Sequence, residues 1–367
     1  MLPLNRDGLT VEETIELLHS NNRIERFRYR LLDKDENEKA WIDTVKTGRV
    51  SYSALAKIKR SALFTMLEDS RVDYLNDRMQ PFMEISAGGK TISFPLGVFL
   101  LNSPSREDEN TVVTRTIEAY DKLQILEEDN FETRYFIPAG ENYVNAISSI
   151  IMSSGETAIS ISPTTLTIGR DREFDLDMTK LDIINRLLEE LNYSSLRVDA
   201  EGTYVSEPYI EPGNRPIDYE YITNEQSVIL PDAREEIDLY NVKNVFVVFE
   251  DNPEKPPLRS VYVNDNLASP MSTVSRGRRL ADVRQLEDIA DQIALDAYTR
   301  RIAINATNIY SHIRFYTASM PMHDYMDTLL VTYSPLGVSD TYQETGWELT
   351  LEAGASMEHR VRKVVYL

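Results

Sequence analysis

The chain has 367 residues, 42% hydrophobic and 27% charged, an ordinary globular composition that at roughly 150 residues per domain predicts two or three domains. It contains no cysteine, which excludes disulfide frameworks, thiolate zinc sites and cysteine nucleophiles together. Lys+Arg 39 against Asp+Glu 60 leave a net charge of −21; such a surface repels nucleic-acid phosphate, so a DNA-gripping role is disfavoured, whereas a surface past which DNA slides is compatible.

Charges interrupt every apolar run near the N-terminus, so no secretory signal is predicted. No stretch approaches the ~20 apolar residues of a membrane span, and a cytoplasm-like compartment is expected until assembly. Residues 10–19 predict a short helix, with Thr10 and Glu13 as a capping box and Val11, Ile15 and Leu18 at helical spacing. From Phe27 to Asp121 the period becomes two. Strands are predicted over Phe27–Leu32, Val50–Leu55, Ala62–Leu67, Phe82–Ile85, Gly97–Leu101 and Val112–Tyr120, with Gly88-Gly89-Lys90 as a hairpin turn. These make an antiparallel barrel or sandwich of about 100 residues.

The next stretch is mixed. Helices are predicted over Glu141–Ile151, closed by Gly155, and over Leu181–Leu191, followed by a hairpin around Ala200-Glu201. The run from Glu211 to Pro216 reads as a domain boundary. Beyond it, strands are expected at Val242–Phe249 and Arg259–Val263, joined by a loop over Asp251–Pro257. A long helix is expected over 285–308, with Leu286, Ile289, Ile293, Ala297 and Ile304 near one stripe. Strands at Ile313–Thr317, Leu329–Tyr333, Trp347–Leu351 and His359–Tyr366 end the chain. The fold class is therefore α+β, mostly β: two β-rich regions around a small α/β module.

A search for chemistry yields no catalytic, cofactor-binding or metal site. His19, His312, His323 and His359 lack metal-binding spacing and read as surface or structural histidines. Glu127-Glu128-Asp129 reads as a solvated run after a short helix. Gly354-Ala355-Ser356-Met357-Glu358 lacks the second glycine of a nucleophile elbow, and no phosphate-cradling glycine motif occurs. The basic cluster Arg276-Gly277-Arg278-Arg279 admits three readings: a phosphate site, a loop ahead of the long helix, or an intersubunit salt-bridge patch set against the acidic surface. Lys57-Ile58-Lys59-Arg60-Ser61 is read in the same way.

In their order along the chain, several stretches resemble the tail hub proteins of phages infecting Gram-positive bacteria. They are 56–63, 94–101, 117–123, 137–143, 180–185, 260–266 and 275–279, including Phe94-Pro95-Leu96-Gly97 and Ile137-Pro138-Ala139-Gly140. The resemblance, over about residues 21–367, is to the gp27-like baseplate hub family, the N-terminal structural part of tail-associated proteins. It implies two antiparallel tube-type β-barrel domains in one subunit. The expected layout is an N-terminal helical arm (1–20), tube-type domain I (21–128), a peripheral α/β domain (129–215), connecting strands shared between the β domains (216–270), and tube-type domain II with a long flanking helix (271–367).

The resemblance further implies a homotrimeric ring at the distal end of a phage tail that adapts a sixfold tube to a threefold tip. Its partners would be a distal tail protein ring, a tape measure protein and a tip, fibre or spike protein, with DNA passing through the channel unbound. The location would be the virion tail tip, reached from the host cytoplasm. Some relatives continue into a peptidoglycan-cleaving or receptor-binding domain; the chain ends at Leu367 after a strand, so that activity is not expected here. The competing expectations are a peptidoglycan or carbohydrate hydrolase, which needs a cleft with two carboxylates, and a receptor- or carbohydrate-binding tail module, which needs aromatics gathered on one face.

Overall fold

Thr10 opens the first helix as its pattern predicts. Its hydroxyl accepts from the Glu13 amide at 3.2 Å, and the Glu13 carboxylate accepts from the Thr10 amide at 2.9 Å, satisfying two amides that a first helical turn leaves without partners. The computed structural model describes residues 1–109, 112–225, 227–237, 242–250, 257–267, 269–286, 289, 291–307 and 311–364. The first part comprises helix α1 (Val11–Leu18) and strands β1 (Ile24–Leu32), β2 (Glu38–Ile42), β3 (Val45–Ser53), β4 (Arg60–Leu67), β5 (Arg78–Ala87), β6 (Lys90–Pro95), β7 (Phe99–Glu109) and β8 (Val112–Asp121). The middle holds α2 (Leu123–Glu128), β9 (Tyr135–Ile137), α3 (Tyr143–Ser153), β10 (Ile159–Ile161), β11 (Arg172–Phe174), α4 (Lys180–Glu190), β12 (Arg197–Val198) and β13 (Tyr204–Ser206). The last part has β14 (Tyr219–Ile222), β15 (Arg234–Ile237), β16 (Val245–Glu250), β17 (Arg259–Val263), α5 (Thr273–Arg276), β18 (Ala281–Leu286), α6 (Gln292–Thr307), β19 (Ser311–Ala318), β20 (Thr328–Tyr333), β21 (Val338–Thr350) and β22 (Ser356–Lys363).

The chain is mostly β, as its composition and period predict. Along β4 the side chains of Arg60, Ala62, Phe64 and Met66 point inward, every second residue. Between β5 and β6, Gly88 and Gly89 have φ of +58° and +81°. A two-residue hairpin turn of type I′ requires positive φ at both central positions, and Ala87 accordingly faces Lys90.

One large sheet runs in the order β15-β19-β22-β21-β3-β4-β8-β7-β5-β1-β2, with β6 added on β5 and β20 and β14 branching from β21. The early and late strands therefore meet where β21 pairs antiparallel with β3, from Gly346 opposite Ser53 to Thr350 opposite Arg49. Tyr52 and Trp347 stack across this junction with ring centroids 5.7 Å apart. A bulge in β21 lies between Glu344 and Gly346, and a Cβ on Gly346 would stand 2.6 Å from the Tyr52 carbonyl oxygen. Beneath the sheet, one apolar core is continuous from Phe64, Met83 and Phe94 to Leu329, Trp347 and Met357.

Two smaller units pack beside it. In the first, α3 is capped by the Asn142 side chain, which accepts from the Val144 and Asn145 amides, and Gly155 follows it with φ +82°. Leu126, Ile147, Ile150, Ile184, Leu187 and Tyr204 form its core, and β12 and β13 make the expected antiparallel hairpin, extended by β10 in parallel. The second is a three-stranded sheet, β17-β16-β18, with Phe246, Val248, Ile289, Leu295 and Tyr298 in its core. β14 and β15 join the large sheet; β16 and β17 do not.

The helix expected over 285–308 is corrected. Residues 281–286 are β18, paired in parallel with β16, and the helix starts at Gln292. The Asp291 carboxylate accepts from the Ala294 amide at 2.7 Å, an N-terminal stop for the helix that the apolar stripe concealed. The stripe is also rotated: Ile293 is 79% exposed, while Leu295, Tyr298, Ile302 and Ala303 are buried. Tyr366, and most of the loop expected over Asp251–Pro257, lie outside the described residues. Among the described residues no helix is long and apolar enough to cross a membrane.

Gly346→Ala tests the junction. Forcing a methyl group against a backbone carbonyl costs about 1–3 kcal/mol, so chemical denaturation should place the variant's unfolding midpoint clearly below the parent's; equal midpoints would show that β21 shifts there without cost.

Candidate functional site

Two of the four histidines meet in the core of the late strands. His359 stands on β22, Glu344 on β21 beside the bulge, and His323 and Asp327 on the connection between β19 and β20; all four are buried. Glu344 lies between the two rings: Oε1 is 2.6 Å from His359 Nδ1 and Oε2 is 2.9 Å from His323 Nδ1. Asp327 Oδ2 stands 3.2 Å from the same His323 nitrogen, and its Oδ1 is 2.5 Å from the Met1 ammonium. The outer nitrogens also have partners: Tyr221 Oη is 2.6 Å from His323 Nε2, and Thr317 Oγ1 is 2.8 Å from His359 Nε2.

Burial by itself lowers the pKa of His323, but Glu344 and Asp327 outweigh it and push the imidazole up to about 9. Burial would raise both carboxylates; His323 reverses this for each, and the Met1 ammonium helps at Asp327, so both sit below their ordinary values. For His359 burial dominates and its pKa falls. The arrangement can hold opposite charges, or a cation, without solvent. It offers no path for a substrate.

A second buried constellation joins the units. Arg60, 1% exposed, donates to the Asp324 carboxylate and to the Val198 carbonyl, each at 2.6 Å, while its backbone amide donates to Asp121 at 2.7 Å. One guanidinium thus links β4 to the α/β unit and to the β19–β20 connection. Close by, Arg78 and Lys122 face Glu36 and Glu156: Arg78 reaches them at 2.6 and 2.7 Å, Lys122 reaches Glu156 at 2.7 Å, and Lys122 also bonds Glu36. Burial pushes the Asp121 carboxyl up to about 6, against the amides of Arg60 and Leu123 that favour its ionised form.

The remaining residues singled out in the sequence are scattered. His19 ends α1 with Nε2 2.6 Å from Tyr219 Oη, and His312 stands half-buried on β19. Of the run Glu127-Glu128-Asp129, Glu128 is exposed as expected, while Glu127 pairs with Lys57 and Asp129 with Lys180, each at 2.6 Å. Lys59 and Arg60 are also corrected, because both point into the protein, Lys59 donating to the Ala54 and Ala56 carbonyls. The basic cluster runs from Arg276, the last residue of α5, into the turn before β18, so a strand and not the long helix follows it directly. Arg276 donates to the Val242 carbonyl at 2.7 Å, Gly277 closes α5 with φ +62°, and Arg278 and Arg279 are exposed. A cleft of about 640 Å³ opens beside this body, lined by Lys59, Tyr209, Arg301 and Arg362 among others. Among the described residues its lining carries one carboxylate, Glu207, which is paired to Arg197 at 3.1 Å, where a glycosidase needs two.

No protein-family model and no curated protein matches the sequence. Solved structures do match. A tail protein from Neisseria meningitidis superposes with a TM-score of 0.65 at 11% identity, covering 92% of this chain and 97% of that one. The 43 kDa tail protein of a Shewanella oneidensis prophage gives 0.62 at 10% identity, with 92% and 98% covered. An Escherichia coli component of the type VI secretion system, described as structurally similar to the T4 bacteriophage tail proteins gp27 and gp5, gives 0.50 at 9% identity, with 88% and 74% covered. The chain has the fold of these phage tail and baseplate hub-like proteins.

Two outcomes follow from the Arg60 constellation. Arg60→Met leaves Asp324 and the Val198 carbonyl without their donor, a loss of about 3 kcal/mol for a broken buried pair, measurable by urea unfolding. Asp121 has a folded pKa above its unfolded value, so its contribution to stability is complete below the unfolded pKa and is lost as pH rises through about 6. The stability of the parent relative to Asp121→Asn should therefore fall between pH 4 and pH 8; a constant difference would mean that Asp121 does not titrate in that window.

Proposed function

We propose that the chain is a structural hub subunit of a phage-type tail, three copies of which form a ring at the distal end of the tail tube. The observation that carries the reading is the match over nearly the full length of both chains to tail proteins. A physical argument supports ring formation. Among the described residues β2 pairs only with β1 and β15 only with β19, so the main run of the large sheet ends in two unpaired edges, while β6 and β14 end its side branches. Both edges carry exposed apolar side chains, Trp41 on β2 and Ile237 on β15. Free edges of this kind template aggregation unless another chain covers them, and closed cyclic assembly is the common solution.

In this reading the early strands and the late strands each make one tube-type barrel unit. Three subunits then give six units around a channel, matching a sixfold tube above and a threefold tip below. The α/β unit lies at the periphery. A distal tail ring, a tape measure protein and a tip, fibre or spike protein are the neighbours, and the net charge of −21 lets DNA pass without adhering. The protein acts without turnover, in the virion tail tip, after assembly in the host cytoplasm.

Mass photometry at rising concentration, followed by electron microscopy of the particles, should give threefold rings. A persistent monomer, with no ring in tail preparations, would remove the reading. The double variant Trp41→Lys, Ile237→Lys places a charge on each edge and should remain monomeric with an unchanged circular-dichroism spectrum.

A further inference from the structure

We propose that His323, Glu344 and His359 form a structural site for one divalent transition-metal ion of the zinc type, with Asp327 as an additional carboxylate donor. One ligand atom from each of the first three lies within 4.8 Å of the others, and all three residues are buried. Two imidazoles and a carboxylate are a donor set that suits zinc.

Both Glu344 oxygens face ring nitrogens: Oε1 lies 2.6 Å from His359 Nδ1 and Oε2 lies 2.9 Å from His323 Nδ1. Oε2 is fully buried and makes no hydrogen bond of good geometry. Where the Thr317 hydroxyl donates to the Ala318 carbonyl, it accepts from His359 Nε2 and leaves the Nδ1 lone pair facing Glu344.

A metal ion accepts lone pairs from both ring nitrogens and the carboxylate at once. The hydroxyls of Tyr221 and Thr317 on the outer ring nitrogens are the supports that metal-ligating histidines require to fix their tautomer. With neutral rings, Glu344 and Asp327 contribute two negative charges, of which the Met1 ammonium offsets one, so the ion would meet a net negative cluster. Such an ion joins β21, β22 and the β19–β20 connection. Because the site is sealed, the ion enters as the chain folds and leaves only when it opens.

The test uses full-length protein without a metal-binding tag, unfolded in denaturant with chelator and refolded either in excess zinc chloride or in chelator. After desalting, the zinc-refolded protein should hold one zinc per chain by mass spectrometry and melt at a higher temperature than the chelator-refolded protein. Cobalt-refolded protein should show the visible absorption bands of a tetrahedral site. Glu344→Gln and His359→Gln should each lose the ion and the cobalt bands. If the parent retains no zinc and both refolded samples melt together, protons close the cluster and the proposal fails, whatever the variants do. Ring assembly is scored separately, so failure here leaves the hub reading intact, and the reverse also holds.

Discussion

The antiparallel contact of β21 with β3 is the constraint on which the rest of the molecule depends. Without it the early and late strands would be two sheets, each with another long unpaired edge. With it they share one apolar core, and Tyr52 packs on Trp347 at the crossing. The contact demands that position 346 carry no side chain, because the Tyr52 carbonyl occupies that space. The bulge at the same point lets β21 turn while keeping Glu344 pointed at the two histidines.

Placement of the α/β unit follows from a different kind of interaction. Its apolar core is separate from that of the large sheet, so hydrophobic burial alone would leave its orientation loosely defined. Arg60, Arg78 and Lys122 supply the definition, each buried and facing groups from other units. Buried ion pairs are weak sources of net stability, since desolvation offsets most of the attraction, yet breaking one is costly. Their effect is to make one arrangement acceptable and displaced ones poor.

Legibility of the fold in the sequence tracked how cleanly the local pattern expressed burial. β4 and β8 were readable because inward and outward residues alternate. β2, with Glu38 and Lys39 at its start, carried no strand signal, and β18 was hidden because Asp282, Arg284 and Gln285 interrupt any apolar rhythm on an exposed strand. The helix start at Asp291 was available as a capping signal but was overridden by a stripe that counted Ile293 as buried. The histidine cluster was invisible for a topological reason. Its members span residues 323 to 359 on separate elements, and only strand order brings them together. The same holds for Arg60, whose charge suggested surface while its partners, Val198 and Asp324, lie far along the chain.

Arg60 also sets where the protein can bend. A rotation between the large sheet and the α/β unit would draw its guanidinium away from the Val198 carbonyl or from Asp324, leaving a cation half-solvated among apolar walls. A load on the large sheet would therefore pass to the α/β unit as through one stiff lever. Strain would collect instead in segments with few buried groups, such as the exposed edge strand β15.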